Sequence, residues 1–592
     1  MVGCRPRQLR PSLTEDAMRW FGGCVTSTPG VPSYVPEQDV SLVWEDPFPL
    51  WMVGEWSPDE IVFARSRSRE AVLVGVCSLT RGELVKWLDS ACLGGLPPWP
   101  GIYTVVVRDA CSITVWTDPT HAAPLYYTNI EGGVVWASSS RALAAIHGSG
   151  LDLNWLGAMV CEPPIPPSGQ RSAFADVDCI PPGYRMMFTR GKKPMAQQWW
   201  FAPNAVSSSE AATGFRWSLE KSVLARTTTV ERISCDLSGG LDSTTLCLLA
   251  AGLIEVDRRV TGLTVRPAST DSGGDLDHAR TVAFYRHNIR HSILGLTGEA
   301  LPYSELEEIP PCDEPAPSTI TTARHRVAYE RLVDEGSQRH LTGDGGDALL
   351  IPPSAYLYEL AHRARFVRLA RDVHGWAKLA DASPWPRVRE LFVTAPDKRA
   401  SPPWASNRAQ ELALDYPAWG APDTSMTNAY VISDVRSIAR TANADTQIAH
   451  SFGIHLDAPF MDRTVMDAAL RFRLNDRGSP WQYKPQITDA FSDILPRNVR
   501  QRHTKGGTDV DHHHGLRAHL GPVKSLMDGW LAGHSLIQPS PMYTALDRAA
   551  IGLPSPFGEF EPAIALEAWA RAVTAALPVK WTRAFPAHKA TP

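Results

Sequence analysis

The rhythm of apolar and polar positions changes near residue 205. Before it, apolar runs are short and separated by turns, at 71–77, 101–107, 112–117, 125–128 and 133–138. Runs of that length and spacing predict a layered, β-rich domain. Residues 84–88 and 141–146 have the spacing of short helices. Past the change, strands and helices alternate. A helix at 210–227 leads into a strand at 232–237, and an apolar helix follows at 244–253. Next come a strand at 259–265, a helix ending at Tyr285, a strand at 291–296 and a helix at 321–335. His340 and Leu341 then run into a polar, glycine-rich loop. Such alternation predicts a parallel sheet with right-handed crossovers. Residues 357–380 form a basic amphipathic pattern with Arg363, Arg365, Arg368 and Arg371. A solvated face is the expected reading there, and a docking surface for an acidic peptide the sharper one. Residues 516–573 carry helical patterns expected to form a C-terminal cap.

Two loops interrupt this pattern with chemistry. The first runs Leu237, Ser238, Gly239, Gly240, Leu241, Asp242, Ser243 between a strand end and a helix start. Glycines let the backbone approach a bulky anion, and a helix start offers unpaired N–H groups. Ser238 and Ser243 add hydroxyl donors, and Asp242 suits a Mg²⁺ that accompanies a phosphate. No Lys follows Gly240, so this is not the Walker loop. The second loop is Thr342, Gly343, Asp344, Gly345, Gly346, Asp347. Ligands of parallel sheets bind beyond the carboxyl ends of strands, so both loops are expected to face one crevice. There Asp242 and Asp347 are expected to hold Mg²⁺ against the phosphates of the ligand.

Composition narrows the class. The chain has 592 residues, 44% of them hydrophobic and 20% charged, which are globular values for more than one domain. A net charge of −5 gives no sign of a nucleic-acid partner. The 10 cysteines are scattered without a C-x-x-C pair, which fits a reducing cytoplasm. No apolar run is long enough for a membrane span. Residues 1–17 carry three arginines without an apolar stretch and read as a disordered leader, with Met1 or Met18 as the start.

The S-G-G-L-D-S loop resembles the pyrophosphate loop of ATP pyrophosphatases. Three further stretches resemble the glutaminase half of asparagine synthetases. They are residues 101–127 with Asp118, Pro124 and Tyr127; residues 135–143; and Ile180 to Tyr184. That family's glutaminases use an N-terminal Cys, whereas Cys4 and Cys24 here are both internal. A retained scaffold without glutaminase chemistry is therefore expected. In the other half, Asp347 matches the last Asp of the family's second loop, and Asp344 stands where the family has Glu. Leu237, Thr264 and Gly343, with Thr342 beside it, match positions around the nucleoside. Asp313 and Glu314 match a D-E-P motif on the acceptor side, and Lys484 matches the Lys of K-x-x-L-R-x-A, also assigned to the acceptor side. Lys505 matches the catalytic lysine. His455 and Asp457 stand where the family has Glu and Arg.

The resemblance implies an α/β protein of two domains. Residues 18–205 form a degenerate class II glutaminase-like α-β-β-α domain, and residues 206–592 an ATP-pyrophosphatase domain with a parallel sheet. The second holds a divergent insert at 351–430 and a helical C-terminal segment. The whole is most similar to lasso-peptide cyclases. That implies ATP and Mg²⁺ as cofactors, and release of AMP and pyrophosphate. It implies closure of a macrolactam between a core peptide's N-terminal amine and an Asp or Glu side chain. A precursor peptide, a leader-binding protein and a leader peptidase are the expected partners. His455 or Asp434 is expected to orient or deprotonate the amine. Three alternatives stay open: a β-lactam synthetase, an ammonia-dependent asparagine synthetase, and a nucleotide-gated peptide-binding scaffold.

Overall fold

A computed structural model describes residues 18–584, apart from 29–30, 32, 91–92, 163–168, 256, 268–272, 394–400, 417–419, 421 and 502–508. The expected leader and Lys505 lie outside the described residues.

The first half is a stack of two six-stranded antiparallel sheets. Its logic is period-two burial. Trp20–Thr26 is buried at every position and sends alternate side chains to opposite faces. Phe21 and Val25 join Val72, Val74, Val106 and Trp136 between the sheets. Trp20 and Cys24 face outward, onto Leu143 and Trp155 of the helices Ser140–His147 and Leu153–Cys161. The second sheet does the same: Leu73, Val105 and Val107 turn away from the first, toward Leu84 and Leu88 of the helix Arg81–Leu88. The layers run helix, sheet, sheet, helix.

The second half holds a five-stranded sheet whose described pairings are all parallel. Across the sheet the order is Ile289–Leu296, Val260–Pro267, Ile233–Asp236, Arg339–Leu341, His455–Asp457. Strand order reverses between Ile233–Asp236 and Arg339–Leu341, so the sheet has a switch point there. Leu241–Leu253 is buried on nearly all sides, as its apolar sequence requires. His455–Asp457 is three half-buried residues, too short and polar to announce a strand.

Two expectations need correcting. The basic stretch 357–380 is two helices, Ala355–His362 and Phe366–Leu379, broken where Ala364 takes φ 53°. Its arginines are largely answered by its own acids. Arg363 pairs with Glu359 at 2.7 Å, and Arg368 and Arg371 both pair with buried Asp372 at 3.2 Å. The C-terminal segment is more than a cap. Helix Phe557–Ala575 packs Trp569 against Trp155 and Phe174 of the first half, and Trp569 Nε1 donates to the Cys312 carbonyl of the second. Strand Trp581–Ala584 then pairs with Ser33–Pro36. The tail ties the halves together. No helix among the described residues is long and apolar enough to cross a membrane.

Candidate active site

The strand Ile233–Asp236 ends in the S-G-G-L-D-S loop at the sheet's switch point. Leu237 is fully buried behind the loop, its N–H donating to Leu263 O at 2.8 Å. Ser238 and Ser243 join hydroxyl to hydroxyl at 2.8 Å, closing the turn on itself. Gly239 sits at φ 80°, and a Cβ there would strike the Asp275 carbonyl oxygen. Only glycine meets both demands. Gly240 caps the helix Leu241–Leu253 and makes no side-chain bond to its first turn.

The second loop leaves Arg339–Leu341 and lies against the first. Thr342 donates from its N–H to Asp457 O at 2.9 Å and from its hydroxyl to Asp344 Oδ2 at 2.7 Å. A Cβ on Gly346 would lie 2.5 Å from Asp242 Cγ, so this glycine makes room for that carboxylate. The result is a convergence. Lys484 Nζ contacts the Asp242 carboxylate and lies 2.5 Å from Asp347 Oδ1. Lys484 is buried, while Asp347 is 60% exposed to the crevice. Burial works against the ammonium, but the two carboxylates outweigh it and raise its pKa. Two carboxylates sharing one cation position is the donor set a Mg²⁺ needs beside a polyphosphate. Lys484, expected on the acceptor side, lies where the two loop carboxylates meet.

The crevice around these loops has a volume of about 880 Å³. Of the residues named from the sequence, Ser238, Gly240, Leu241, Asp242, Ser243, Thr264, Gly343, Asp344, Asp347 and Asp434 line it. Leu237, Gly239 and Thr342 support it from behind. Thr264 donates to Leu237 O at 2.5 Å and meets His291 Nε2 at 2.8 Å, so its hydroxyl is engaged with the fold. Asp434 projects from the helix Met426–Ser451 on the far wall.

Several lining residues escaped the sequence reading: Asp236, Asp275, Arg324 and Tyr483. Loss of solvent pushes the Asp236 carboxyl up, but a hydrogen bond and charge from His340, then Arg324, bring it below its ordinary value. Asp511 and His514 also line the crevice, one turn apart on Asp509–Met527. That spacing was visible. The adjacent histidines His512 and His513 point elsewhere. His512 pairs with Glu561 at 2.6 Å, and His513 meets the Ala549 carbonyl at 2.9 Å. Among the described residues, no group of three or more His, Cys, Asp and Glu is placed to hold a metal.

Three named residues lie elsewhere. His455 begins the edge strand, paired in register with Arg339, whereas the crevice lies at the other end of the sheet. Its ring stacks edge-on to His450 at 4.3 Å and its Nδ1 is 3.9 Å from Glu60. Burial, then nearby Arg19, pushes its pKa down to about 4. Asp313 and Glu314 face the first half. Asp313 accepts from Ser139 Oγ and Arg141 N at 2.8 Å and from Gln447 Nε2 at 2.9 Å. Glu314 takes a bidentate contact from Arg440 at 2.6 and 2.8 Å and a bond from Tyr126 OH at 3.2 Å. Both are under 5% exposed. Their carboxylates are spent on the seam between the halves, not on the acceptor.

The crevice lies at the switch point of a parallel α/β sheet, between two glycine–aspartate loops. The asparagine synthase family profile matches residues 214–559, more than half of the chain. The chain belongs to that family, whose class is ATP-dependent and amide-forming. No curated protein matches the sequence. Among solved structures, an NH3-dependent NAD synthetase from Campylobacter jejuni, in complex with nitrate, is similar at 13% identity. The match covers 23% of this chain, just over half (56%) of that one, at a TM-score of 0.17. An allosteric regulatory enzyme of purine biosynthesis shares 10% identity over 50% of this chain and 82% of that one, at 0.21. A glutamine phosphoribosylpyrophosphate amidotransferase from B. subtilis, with ADP and GMP, shares 10% over 57% and 76%, at 0.20.

Proposed function

We propose that the protein closes a macrolactam within a ribosomally made peptide. It activates an Asp or Glu side chain as an acyl-adenylate, and the peptide's own N-terminal amine displaces AMP. The observation that carries this reading is the meeting of two glycine–aspartate loops on one crevice, in a chain whose first half retains layers but no exposed nucleophile on its leading strand. Cys24 is buried in mid-strand, and burial pushes its thiol up to about 11. A thiol held that far above neutrality is no nucleophile. We read the amine as one that the substrate carries; free ammonia is the competing source that the test below separates.

The chain's residues then divide the work. Ser238, Ser243 and the first-turn N–H groups of Leu241–Leu253 cradle pyrophosphate. Asp242 and Asp347 hold Mg²⁺, which offsets the triphosphate's charge when bound. Leu237, Thr264 and Gly343 shape the nucleoside wall. Asp344 and Asp434 face the reacting end, where Asp434 takes a proton from the peptide's N-terminal ammonium and frees the neutral amine that attacks. Lys505, outside the described residues, is assigned charge stabilisation by resemblance alone. Holding amine and activated carboxyl in one crevice makes the second step effectively unimolecular. A volume near the upper end of the usual ~300–1,000 Å³ range suits a nucleotide together with a peptide segment. The precursor peptide, a leader-binding protein and a leader peptidase are its proposed partners.

The test supplies ATP, Mg²⁺ and a core peptide. AMP, pyrophosphate and a peptide lighter by one water are expected. ADP in place of AMP overturns the adenylation step. Turnover only with ammonium and free aspartate, or only with a small β-amino acid, overturns the peptide substrate.

A further inference from the structure

Lys484 occupies the position where the two loop carboxylates converge. Its side chain is 1% exposed, against 16% for Asp242 and 60% for Asp347. It is fixed there by more than its own reach. The residue takes a left-handed φ of 45°, ahead of Pro485, which starts the helix Pro485–Ala490. Its ammonium also lies over the Tyr483 ring, 5.3 Å from the centroid. Gln486, which follows Pro485, is buried. A lysine in a strained backbone state with a buried neighbour cannot swing away at no cost.

We infer that Lys484 is a resident cation that makes divalent-metal loading conditional on nucleotide. The inference rests on the reading that Asp242 and Asp347 hold the metal. With Lys484 in place the cluster carries two negative charges and one positive. Adding a divalent ion alone would leave a surplus positive charge and press two cations together beside one carboxylate pair. A polyphosphate arriving with the metal reverses the balance, because its oxygens accept the ammonium as the carboxylates turn to the ion. Metal and nucleotide therefore enter together. In the absence of nucleotide the lysine keeps the carboxylates from repelling each other, so the two loops stay in register. Lys484 is a positioning residue in this account.

The experiment measures Mn²⁺ binding to the full chain by the loss of the free-ion paramagnetic resonance signal, without peptide. Wild type is expected to bind Mn²⁺ weakly alone and at least about 10-fold more tightly with α,β-methylene ATP, after the Mn²⁺ that the analogue itself chelates, read from a protein-free control, is subtracted. Lys484→Met is expected to bind Mn²⁺ alone at least about 10-fold more tightly than wild type. Asp242→Asn added to Lys484→Met should abolish that gain and so assign it to this site. Lys484→Gln, which keeps a polar group, serves if the Met variant melts early, and the same gain is expected. Equal nucleotide-free affinity in wild type and both variants overturns the role of the lysine. Failure of every protein to bind Mn²⁺ even with the ATP analogue overturns the metal-site reading beneath it. Neither result depends on whether a peptide is cyclised.

Discussion

Two pairs of carboxylates, in the seam and in the crevice, look alike in sequence and do opposite things. Asp313 and Glu314 lie between the halves with every near partner a donor: hydroxyls, an N–H, an amide and a bidentate guanidinium. Asp242 and Asp347 reach from two loops to one buried ammonium, and Asp347 stays largely open to the crevice. The first arrangement is saturated, so it holds surfaces together and has nothing left for a ligand. In the second an ammonium bridges the two carboxylates, and one of them is open to a ligand that could take its place. What separates a structural from a chemical carboxylate here is whether its donors can be replaced by substrate.

The largest effect should come from breaking the seam. Arg440→Met leaves Glu314 buried without its charge partner, which typically costs about 3–5 kcal/mol. Denaturant unfolding should show that loss. Arg440→Met with Glu314→Gln should recover much of it, as coupled pairs do. Nucleotide binding by the folded fraction should hardly change. The crevice should respond the other way. Asp242→Asn and Asp347→Asn should each lower AMP formation on the order of 10²-fold or more, about 2.7 kcal/mol or above. Their melting temperatures should move far less than that of Arg440→Met. If instead Asp313→Asn removes activity while leaving stability intact, the division between seam and crevice collapses.

Much of this was legible from the chain. Period-two apolar runs marked the layered half, and the alternation of strands and helices marked the parallel sheet, with ends off by up to three residues, as at the helix Leu241–Leu253. Both loops were readable because glycine spacing at a strand end has few other uses. Side-chain direction was not. Asp313 and Glu314 sit in a loop, where no periodicity says which way a carboxylate turns. His455 seemed close to the site because the strand His455–Asp457 was not recognised. Once it is a strand parallel to Arg339–Leu341, its first residue must lie at the far end of the sheet. Lys484 is remote in sequence from Asp242 and reaches it only through the fold. Asp511 and His514 were not legible either, because only the helix Asp509–Met527 decides which of the consecutive histidines turns to the crevice.

Asp445 links the two regions and should give a smaller, pH-dependent effect. It lies on Met426–Ser451 between Gln447, which binds Asp313, and the crevice, where Asp344 is close enough to repel it. Burial first, then Asp344, raises its pKa from 3.8 to about 7, although Ser318 donates to it. A carboxyl raised on folding favours the folded state below its unfolded pKa and loses that contribution as pH rises through the folded value. Wild type should therefore lose stability between about pH 4 and pH 7 through this group. Asp445→Asn, neutral at every pH and able to keep the Ser318 bond, should flatten the profile over that window. A profile unchanged by the substitution would separate Asp445 from both regions.

The smallest effect is expected at His455. Its ring packs on His450 and near Glu60, outside the crevice, and is held neutral with a pKa near 4. His455→Gln keeps a polar side chain of similar reach, so AMP formation and peptide closure should stay within about twofold, as surface-like changes away from a site do. The substitution has a separate signature in stability. A base whose pKa is lowered on folding contributes above its unfolded value of 6.5 and loses that contribution as pH falls through about 4. Wild type should lose more stability than His455→Gln over that acid window. A drop in activity of about 10²-fold at neutral pH, with melting unchanged, would instead mean that substrate reaches around the sheet's edge to this end. In that case the crevice as drawn would be only part of the site, and the contrast with the seam would have to be redrawn.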